Sequence, residues 1–227
     1  MLLRDARQSK GLTQAGAAAR LGLSQPYLAM LEAGQRRLTP AVARRAMRLY
    51  DLSPTVLPPS APRTAPRSTP ASLARDLALL GYPGFAHLRG RSGASRNPAE
   101  VLLEALGHDD LEARLVEALP WLVLRYVPLD RGWLVPMAKV RDLQNRLGFV
   151  VALARELAEH RGDEGRARAL RELERELEPS RLARVDTLCK ASMPAAERRW
   201  LAEHAPEAAR HWNLLTDWRA DALRYPD

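Results

Sequence analysis

One stretch near the N-terminus, residues 12–37, constrains this chain more than any other. It reads LTQAGAAARLGLSQPYLAMLEAGQRR. Thr13 and Ser24 are residue types that cap helices, and each precedes a run of helix-forming residues. Gly22 lies between the two runs, where a residue without Cβ can turn without a steric penalty. The pattern predicts two short helices joined by a tight turn, with Pro26 tolerated in the first turn of the second helix.

Three linked segments carry a family resemblance. They are KGLTQ at residues 10–14, AARLGLS at residues 18–24, and LEAG at residues 31–34 followed by two arginines. Together they resemble the helix-turn-helix of the phage repressor and Cro family, often called XRE-type regulators. The resemblance covers residues 2–57, a quarter of the chain, and implies a helix that lies in the DNA major groove.

The resemblance implies roles for individual side chains. Gln14 would bind a backbone phosphate. Gln25 is the best candidate for reading a base, because its amide can form two hydrogen bonds with adenine. A partly buried ion pair between Arg7 and Glu32 would bridge the first and third helices without reading DNA. The other side chains expected at the DNA are Ser24 and Tyr27 in the groove and Arg36 and Arg37 on phosphates.

Three positions depart from the family pattern. Gly16 replaces a helix-favouring polar residue, which removes the partner of a capping box. Ala17 replaces a larger apolar residue of the small core. Pro26 removes a side chain that elsewhere in the family contacts a base or a phosphate. We therefore expect a narrower sequence readout than in a typical repressor, and a motif kept only as a folding unit is the alternative.

The excess positive charge is confined to the first part of the chain. The whole chain carries 35 basic and 27 acidic residues, a net charge of +8. The first 70 residues contain 11 basic and 3 acidic residues, so the remainder, with 24 of each, is neutral. This asymmetry is typical of a segment that binds phosphates, whereas an ordinary solvated surface would spread its charges evenly.

A proline-rich segment separates two regions of different composition. Six prolines fall between residues 53 and 72. They predict an extended spacer of polyproline II character. We therefore divide the chain into a helix-turn-helix domain at residues 1–57, a linker at residues 58–72 and a helical domain at residues 73–227. A fourth helix near residues 40–51 completes the first domain.

The residues beyond the linker show helical periodicity and no strand alternation, so the sequence predicts an all-α fold. Glycines and prolines set the expected helix ends. The two most apolar segments, residues 106–127 and 140–160, are core helices or a dimer seam. The predicted helices span residues 71–80, 98–107, 109–126 with a break at Pro120, 131–160, 163–177, 179–191, 194–204 and 206–224.

The sequence gives no sign of an enzyme, a cofactor site or a membrane span. A single cysteine, Cys189, excludes an internal disulfide and a thiolate zinc site. His204 and His211 are seven residues apart, with Pro206 between them, and are a weak metal candidate. No P-loop, dinucleotide fingerprint, zinc-protease motif or serine elbow is present. We expect no catalytic residue, no metal and no cofactor, and the lack of a targeting segment predicts a cytoplasmic location.

Two further features leave alternatives open. The basic loop RGRSGASRN at residues 89–97 could cradle a phosphate with its backbone amides and arginines, but flexible basic loops are common. Trp200, Trp212 and Trp218 are core residues by default. Tryptophan is also enriched at binding hot spots, so a position in a protein–protein interface is the alternative.

These expectations combine into one function and one alternative. The sequence favours a sequence-specific DNA-binding transcriptional regulator that represses its own operon. Its partner would be double-stranded operator DNA, and a homodimer is expected because operators of the family are usually palindromic. The alternative is an antitoxin whose helical C-terminal domain neutralises a toxin protein. In either case the larger domain would supply dimerisation or bind a protein or small ligand.

Overall fold

The computed structural model describes residues 2–59, 68–90 and 95–223. The chain divides into two compact units, residues 1–59 and residues 60–227. Helices make up almost all of the regular structure in the described residues, which confirms the predicted all-α fold. None of the helices in these ranges is both long and apolar enough to cross a bilayer.

The N-terminal unit consists of short helices that begin at the predicted capping residues. The Thr13 hydroxyl accepts a hydrogen bond from the Gly16 N–H at 3.1 Å, and Ser24 accepts one from Tyr27 at 3.4 Å. Gly22 has φ +62°, which is the left-handed conformation that the tight turn requires. The helices are α1 (Leu2–Ser9), α2 (Gln14–Leu21), α3 (Gln25–Glu32) and α4 (Pro40–Tyr50), followed by a 3-10 turn at Pro54–Val56.

Small residues allow these helices to pack closely. Ala17 and Ala46 are fully buried and lie beside Leu21 and Leu28, which are also inaccessible to solvent. Tyr50, the last residue of α4, is buried in the same core. The smaller residue at position 17 is therefore a well-packed core residue, and it brings α2 close to its neighbours.

The described end of the predicted linker belongs to the larger unit. Pro70 is the first residue of α5 (Pro70–Leu80), and the Thr69 hydroxyl caps that helix by accepting from the Ser72 N–H at 3.2 Å. Ser68 is buried, and its N–H donates to Glu104 at 3.2 Å. The predicted linker boundary at residue 72 is therefore wrong. Proline is well tolerated at the first position of a helix, so Pro70 begins α5 and does not belong to an extended spacer. Residues 60–67 lie outside the described residues.

The larger unit is built around α9 (Gln144–His160). This helix packs against α7 (Ala113–Arg125) and α10 (Glu164–Leu177), and all three contribute to one hydrophobic core. Gly148 on α9 makes room for the buried indole of Trp212, since a Cβ at position 148 would lie 2.5 Å from the ring. The remaining α-helices of the described part are α6 (Pro98–Leu106), α8 (Arg131–Val140), α11 (Ala195–His204) and α12 (Glu207–His211). Further 3-10 turns lie at Pro83–Leu88, Glu178–Ser180 and Ala220–Ala222.

The sequence predicts one helix break that does not occur and misses one that does. Pro120 is buried inside α7 and does not end it, because the apolar side chains on both sides of it are held in the core. The single helix predicted for residues 131–160 is instead two helices. Asp142 adopts φ +57°, and the chain turns there between α8 and α9.

The helices predicted for residues 179–191 and 206–224 are wrong over most of their length. These segments contain short strands, β1 (Asp186–Thr187) and β2 (Leu214–Leu215), which pair in parallel. Asp186 is held by a buried arginine, Arg146, and Cys189 and Asn213 adopt positive φ angles. Tertiary contacts therefore override the helical preference of these residues.

Candidate nucleic-acid interface

A buried ion pair joins the first and third helices of the N-terminal unit. Arg7 on α1 donates from Nε to Glu32 Oε1 at 2.7 Å and from Nη2 to Glu32 Oε2 at 3.1 Å. Arg7 Nη1 also donates to the Leu12 carbonyl at 2.8 Å. The guanidinium therefore ties α3 to both α1 and the start of the motif. This geometry is the one that the resemblance implies for Arg7 and Glu32.

The Glu32 carboxylate is fully buried and remains charged. Its side chain has no exposed surface, and that of Arg7 is 11 % exposed. The hydrogen bonds from Arg7 hold the pKa of Glu32 below its ordinary value and outweigh the opposing effect of burial. Because the pair is buried and bidentate, removal of either partner would leave an uncompensated charge in the interior, which is costly.

Gln14 and Gln25 are connected to this ion pair by a chain of hydrogen bonds. The Gln14 amide nitrogen donates to Glu32 Oε2 at 3.2 Å. The Gln14 amide oxygen accepts a long hydrogen bond, 3.5 Å, from the Gln25 amide nitrogen. Gln14 is the first residue of α2, and Gln25 is the first residue of α3. The structure thus brings the two predicted DNA-binding glutamines together at the beginnings of the motif helices.

Ser24 and Tyr27 are less available than the resemblance implies. Ser24 is exposed, but its hydroxyl already caps α3 by accepting from Tyr27. The Tyr27 side chain is half-buried and packs against the core of the N-terminal unit. Gln25 and Pro26, by contrast, are exposed. Gln25 is therefore the polar side chain at the start of α3 that is best placed for reading a base.

Arg36 and Arg37 lie on the segment that leaves α3. Gly34, with φ +73°, turns the chain after the helix, and both arginines are exposed. Within the described part of the chain, neither side chain forms an ion pair or hydrogen bond. Their charges are therefore uncompensated, as are those of the exposed side chains Lys10 and Arg20.

The basic loop at residues 89–97 does not provide a free phosphate site in its described part. Arg89 donates to the Ala78 carbonyl at the end of α5, at 2.9 Å. Arg96 pairs with Asp76 at 2.9 Å and with Glu100 at 2.7 Å. These two arginines hold the loop to helices of the larger unit. Arg91 lies outside the described residues.

The histidines and tryptophans near the C-terminus do not converge. His204 stacks on Trp200 with ring centroids 4.6 Å apart, whereas His211 contacts Glu178 at 2.8 Å. Trp212 is 1 % exposed and is a core residue, but Trp200 is 52 % exposed on α11. Among the described residues, no three His, Cys, Asp or Glu side chains are grouped so that they could hold a metal ion.

Sequence reasoning missed a second buried arginine, Arg146 on α9. It binds both carboxylate oxygens of Asp186, at 2.8 and 3.0 Å. It also donates to the carbonyls of Leu106 and His108 at 2.9 and 2.8 Å. The available signal was a charged residue within the apolar stretch around Leu147. These contacts fix β1 and the end of α6, so the role of Arg146 is structural.

Comparison with known proteins agrees with the geometry of the N-terminal unit. Residues 1–59 match a family model described as a helix-turn-helix domain. No curated protein and no solved structure matches the chain. The match covers a quarter of the sequence and coincides with the unit that contains the Arg7–Glu32 pair and the two glutamines. The N-terminal unit is therefore a helix-turn-helix DNA-binding domain.

Proposed function

We propose that this protein is a sequence-specific DNA-binding transcriptional regulator of the phage repressor and Cro type, and that it represses its own operon. The observation that carries this proposal is the hydrogen-bond chain from Glu32 through Gln14 to Gln25. A helix-turn-helix retained only as a folding unit would have no need to orient an exposed glutamine at the start of its second motif helix.

The chain of hydrogen bonds sets the direction of the Gln25 amide. A carboxylate accepts hydrogen bonds and cannot donate them. The Gln14 amide must therefore point its nitrogen, and not its oxygen, toward Glu32. The Gln14 oxygen then faces Gln25 and attracts its amide nitrogen. The Gln25 oxygen and the second N–H of its amide remain free to contact a base. Adenine offers a donor and an acceptor side by side in the major groove, and this amide matches them.

The positive charges around α3 supply the part of the binding that does not depend on sequence. Arg36 and Arg37 are exposed and uncompensated at the end of the motif. The positive end of the α2 dipole lies at Gln14, where a phosphate would also be favoured. Phosphate contacts of this kind position a protein on the duplex, and base contacts then select the sequence.

The first test compares Gln25→Ala with Gln8→Ala, a matched control at an exposed position on α1. Gel-shift titrations on the protein's own promoter and on scrambled DNA separate specific from non-specific binding. We expect Gln25→Ala to weaken specific binding by about 1–3 kcal/mol while binding to scrambled DNA is unchanged. An equal loss on both DNAs would exclude a base-reading role for Gln25.

The second test measures the salt dependence of binding for Arg36→Ala. Removal of one phosphate contact should weaken binding to all sequences and lower the slope of log K against log salt concentration by about 0.9. Arg75→Ala, at an exposed position on α5 of the larger unit, is the control. A slope unchanged by Arg36→Ala would remove this residue from the DNA contacts.

Autorepression and dimerisation are further parts of the proposal. A palindromic operator requires two copies of the domain, with half-sites one or more helical turns apart. Light scattering of the purified chain during size-exclusion chromatography should give twice the monomer mass of 25.3 kDa. In vitro transcription from the chain's own promoter should fall as protein is added. A monomer that leaves transcription unchanged would contradict both parts.

A second candidate function, neutralisation of a toxin, is favoured by one observation. The Trp200 ring is half-exposed on α11 and stacks on His204, and exposed tryptophans are enriched at protein interfaces. Co-expression with the product of the neighbouring reading frame should then yield a complex that Trp200→Ser weakens. Failure of the two proteins to co-purify would reject this candidate and leave DNA-binding regulation unaffected.

A further inference from the structure

The larger unit contains an open cavity of about 610 Å³. It lies between the start of α7, the helix α11 and the strand β2, and Leu188 and Met193 contribute from the segment that joins β1 to α11. A volume of this size is in the range of natural small-molecule sites, roughly 300–1,000 Å³. All residues that line the cavity belong to the larger unit.

Apolar side chains form the inner wall of the cavity. Val116, Leu188, Met193 and Leu201 line it, and each of them is buried. The Thr216 hydroxyl, also on the wall, accepts a hydrogen bond from the Trp218 N–H at 3.3 Å. The interior therefore suits the hydrocarbon part of a ligand and excludes a strongly hydrated one.

The rim of the cavity is acidic. Glu112 and Asp217 are exposed there, and within the described residues neither carboxylate has a hydrogen bond or an ion pair. Lys190, the one ammonium group on the rim among the residues that the structure describes, pairs with Glu197 at 2.6 Å. Asp110 adds a further negative charge, although it accepts two hydrogen bonds from Ser192. The rim therefore attracts cations and repels anions.

Cys189 lines the same cavity and is not a nucleophile. Its thiol is 1 % exposed and donates to the Ala105 carbonyl at 3.6 Å. Burial raises the pKa of the Cys189 thiol to about 11, so little thiolate is present at neutral pH. A ligand in this cavity is therefore held by non-covalent contacts.

We propose that this cavity binds a small amphipathic organic cation, with its apolar body against Val116, Met193 and Leu201 and its ammonium group at Glu112 and Asp217. An apolar anion is excluded because it would place a carboxylate beside these two unpaired carboxylates. A neutral apolar molecule would gain the wall contacts and lose the attraction of the rim. The ligand class follows from this combination of an apolar wall and an acidic rim.

The test is calorimetric titration of the full-length protein with n-octylammonium, with n-octanol and octanoate as neutral and anionic probes of equal length. We expect n-octylammonium to bind most tightly and octanoate not to bind. The double variant Glu112→Gln/Asp217→Asn should weaken n-octylammonium binding at least about threefold, because it removes two exposed charge contacts. Both residues are exposed, so the variant should fold normally, which the circular dichroism spectrum checks.

Glu203→Gln is the matched control, because Glu203 is an exposed carboxylate on α11 that does not line the cavity. It should bind n-octylammonium as the wild type does. Equal affinity of the double variant and the wild type would overturn the proposal. Octanoate binding as tight as that of n-octylammonium, or no binding of any probe, would overturn it as well. Gel-shift assays without ligand report on the DNA-binding proposal separately.

Discussion

Replacement of Arg7 by methionine should selectively destabilise the helix-turn-helix domain. Arg7 makes two hydrogen bonds to Glu32 and one to the Leu12 carbonyl. Methionine keeps much of the apolar stem and removes all three. The Glu32 carboxylate, with no exposed surface, then loses the guanidinium that holds its charge. Arg4 lies 3.9 Å from Glu32 and is 54 % exposed, so it cannot take over this role.

The expected loss is large for so small a unit. Removal of one partner from a buried ion pair costs about 3–5 kcal/mol, and the slight exposure of Arg7 places the loss near 3 kcal/mol. At roughly 0.05–0.15 kcal/mol per residue, the free energy of unfolding of a unit of this size is about 3–9 kcal/mol. A loss of about 3 kcal/mol should therefore lower its melting temperature by about 12–24 °C.

The distribution of tryptophans makes this change measurable in the full chain. All five tryptophans lie in the larger unit, at or beyond Trp121. Tryptophan fluorescence therefore follows the larger unit alone, whereas far-ultraviolet circular dichroism follows both units. Arg7→Met should shift a circular dichroism transition and leave the fluorescence transition in place. Arg48→Met, at an exposed position on α4, is the control for loss of positive charge and should shift neither transition.

The effect of pH provides a second check on the same pair. In the wild type the pKa of Glu32 is lower in the folded state than its ordinary value of 4.5. The ion pair therefore contributes stability above about pH 4.5, and this contribution is lost as the pH falls through the folded-state pKa. The difference between wild type and Arg7→Met should shrink as the pH falls from 7 to 3. An unchanged difference, or a variant as stable as the wild type at pH 7, would refute the reasoning.

Two further predictions concern the larger unit. Gly148→Ala should destabilise it by about 1–3 kcal/mol or more, because the new Cβ would lie 2.5 Å from the buried Trp212 ring. Urea unfolding followed by tryptophan fluorescence measures this, and an unchanged midpoint would show that the core relaxes around the methyl group. The Cys189 thiol, with its pKa raised to about 11 and 1 % exposure, should react with an aromatic disulfide reagent at pH 8 only after unfolding. Reaction of the native protein within seconds would contradict the burial of this group.

The features that sequence patterns predict correctly are local. The caps at Thr13 and Ser24 and the turn at Gly22 depend on residues only a few positions apart, so their chemistry can be read directly. The Arg7–Glu32 contact spans 25 positions and came from the family resemblance alone. Two residues 25 positions apart do not have the spacing of three or four positions by which an ion pair within one helix is recognised in a sequence.

The strands that the sequence did not predict have one physical origin, which is contact between distant segments. Asp186 is held by Arg146, 40 positions away, and this contact replaces a predicted helix by a strand.

Contacts between helices also offset repulsion within one helix. Arg171 and Arg175 on α10 are four positions apart, a spacing at which like charges repel each other. In the structure Arg171 pairs with Glu159 of α9 at 3.1 Å. Similarly, Arg131 of α8 lies 3.1 Å from Glu172 and 3.5 Å from Glu176, and it offsets their mutual repulsion.

Glu32 links the stability of the helix-turn-helix domain to its recognition chemistry. The same carboxylate accepts the hydrogen bonds of Arg7, which hold α1 to α3, and that of Gln14, which orients Gln25. A neutral amide at position 32 could both donate and accept, so it would no longer fix the direction of the Gln14 amide. If Gln25 reads a base as proposed, the buried charge at position 32 gives its side chain a defined orientation before DNA binds, so that less conformational entropy is lost on binding.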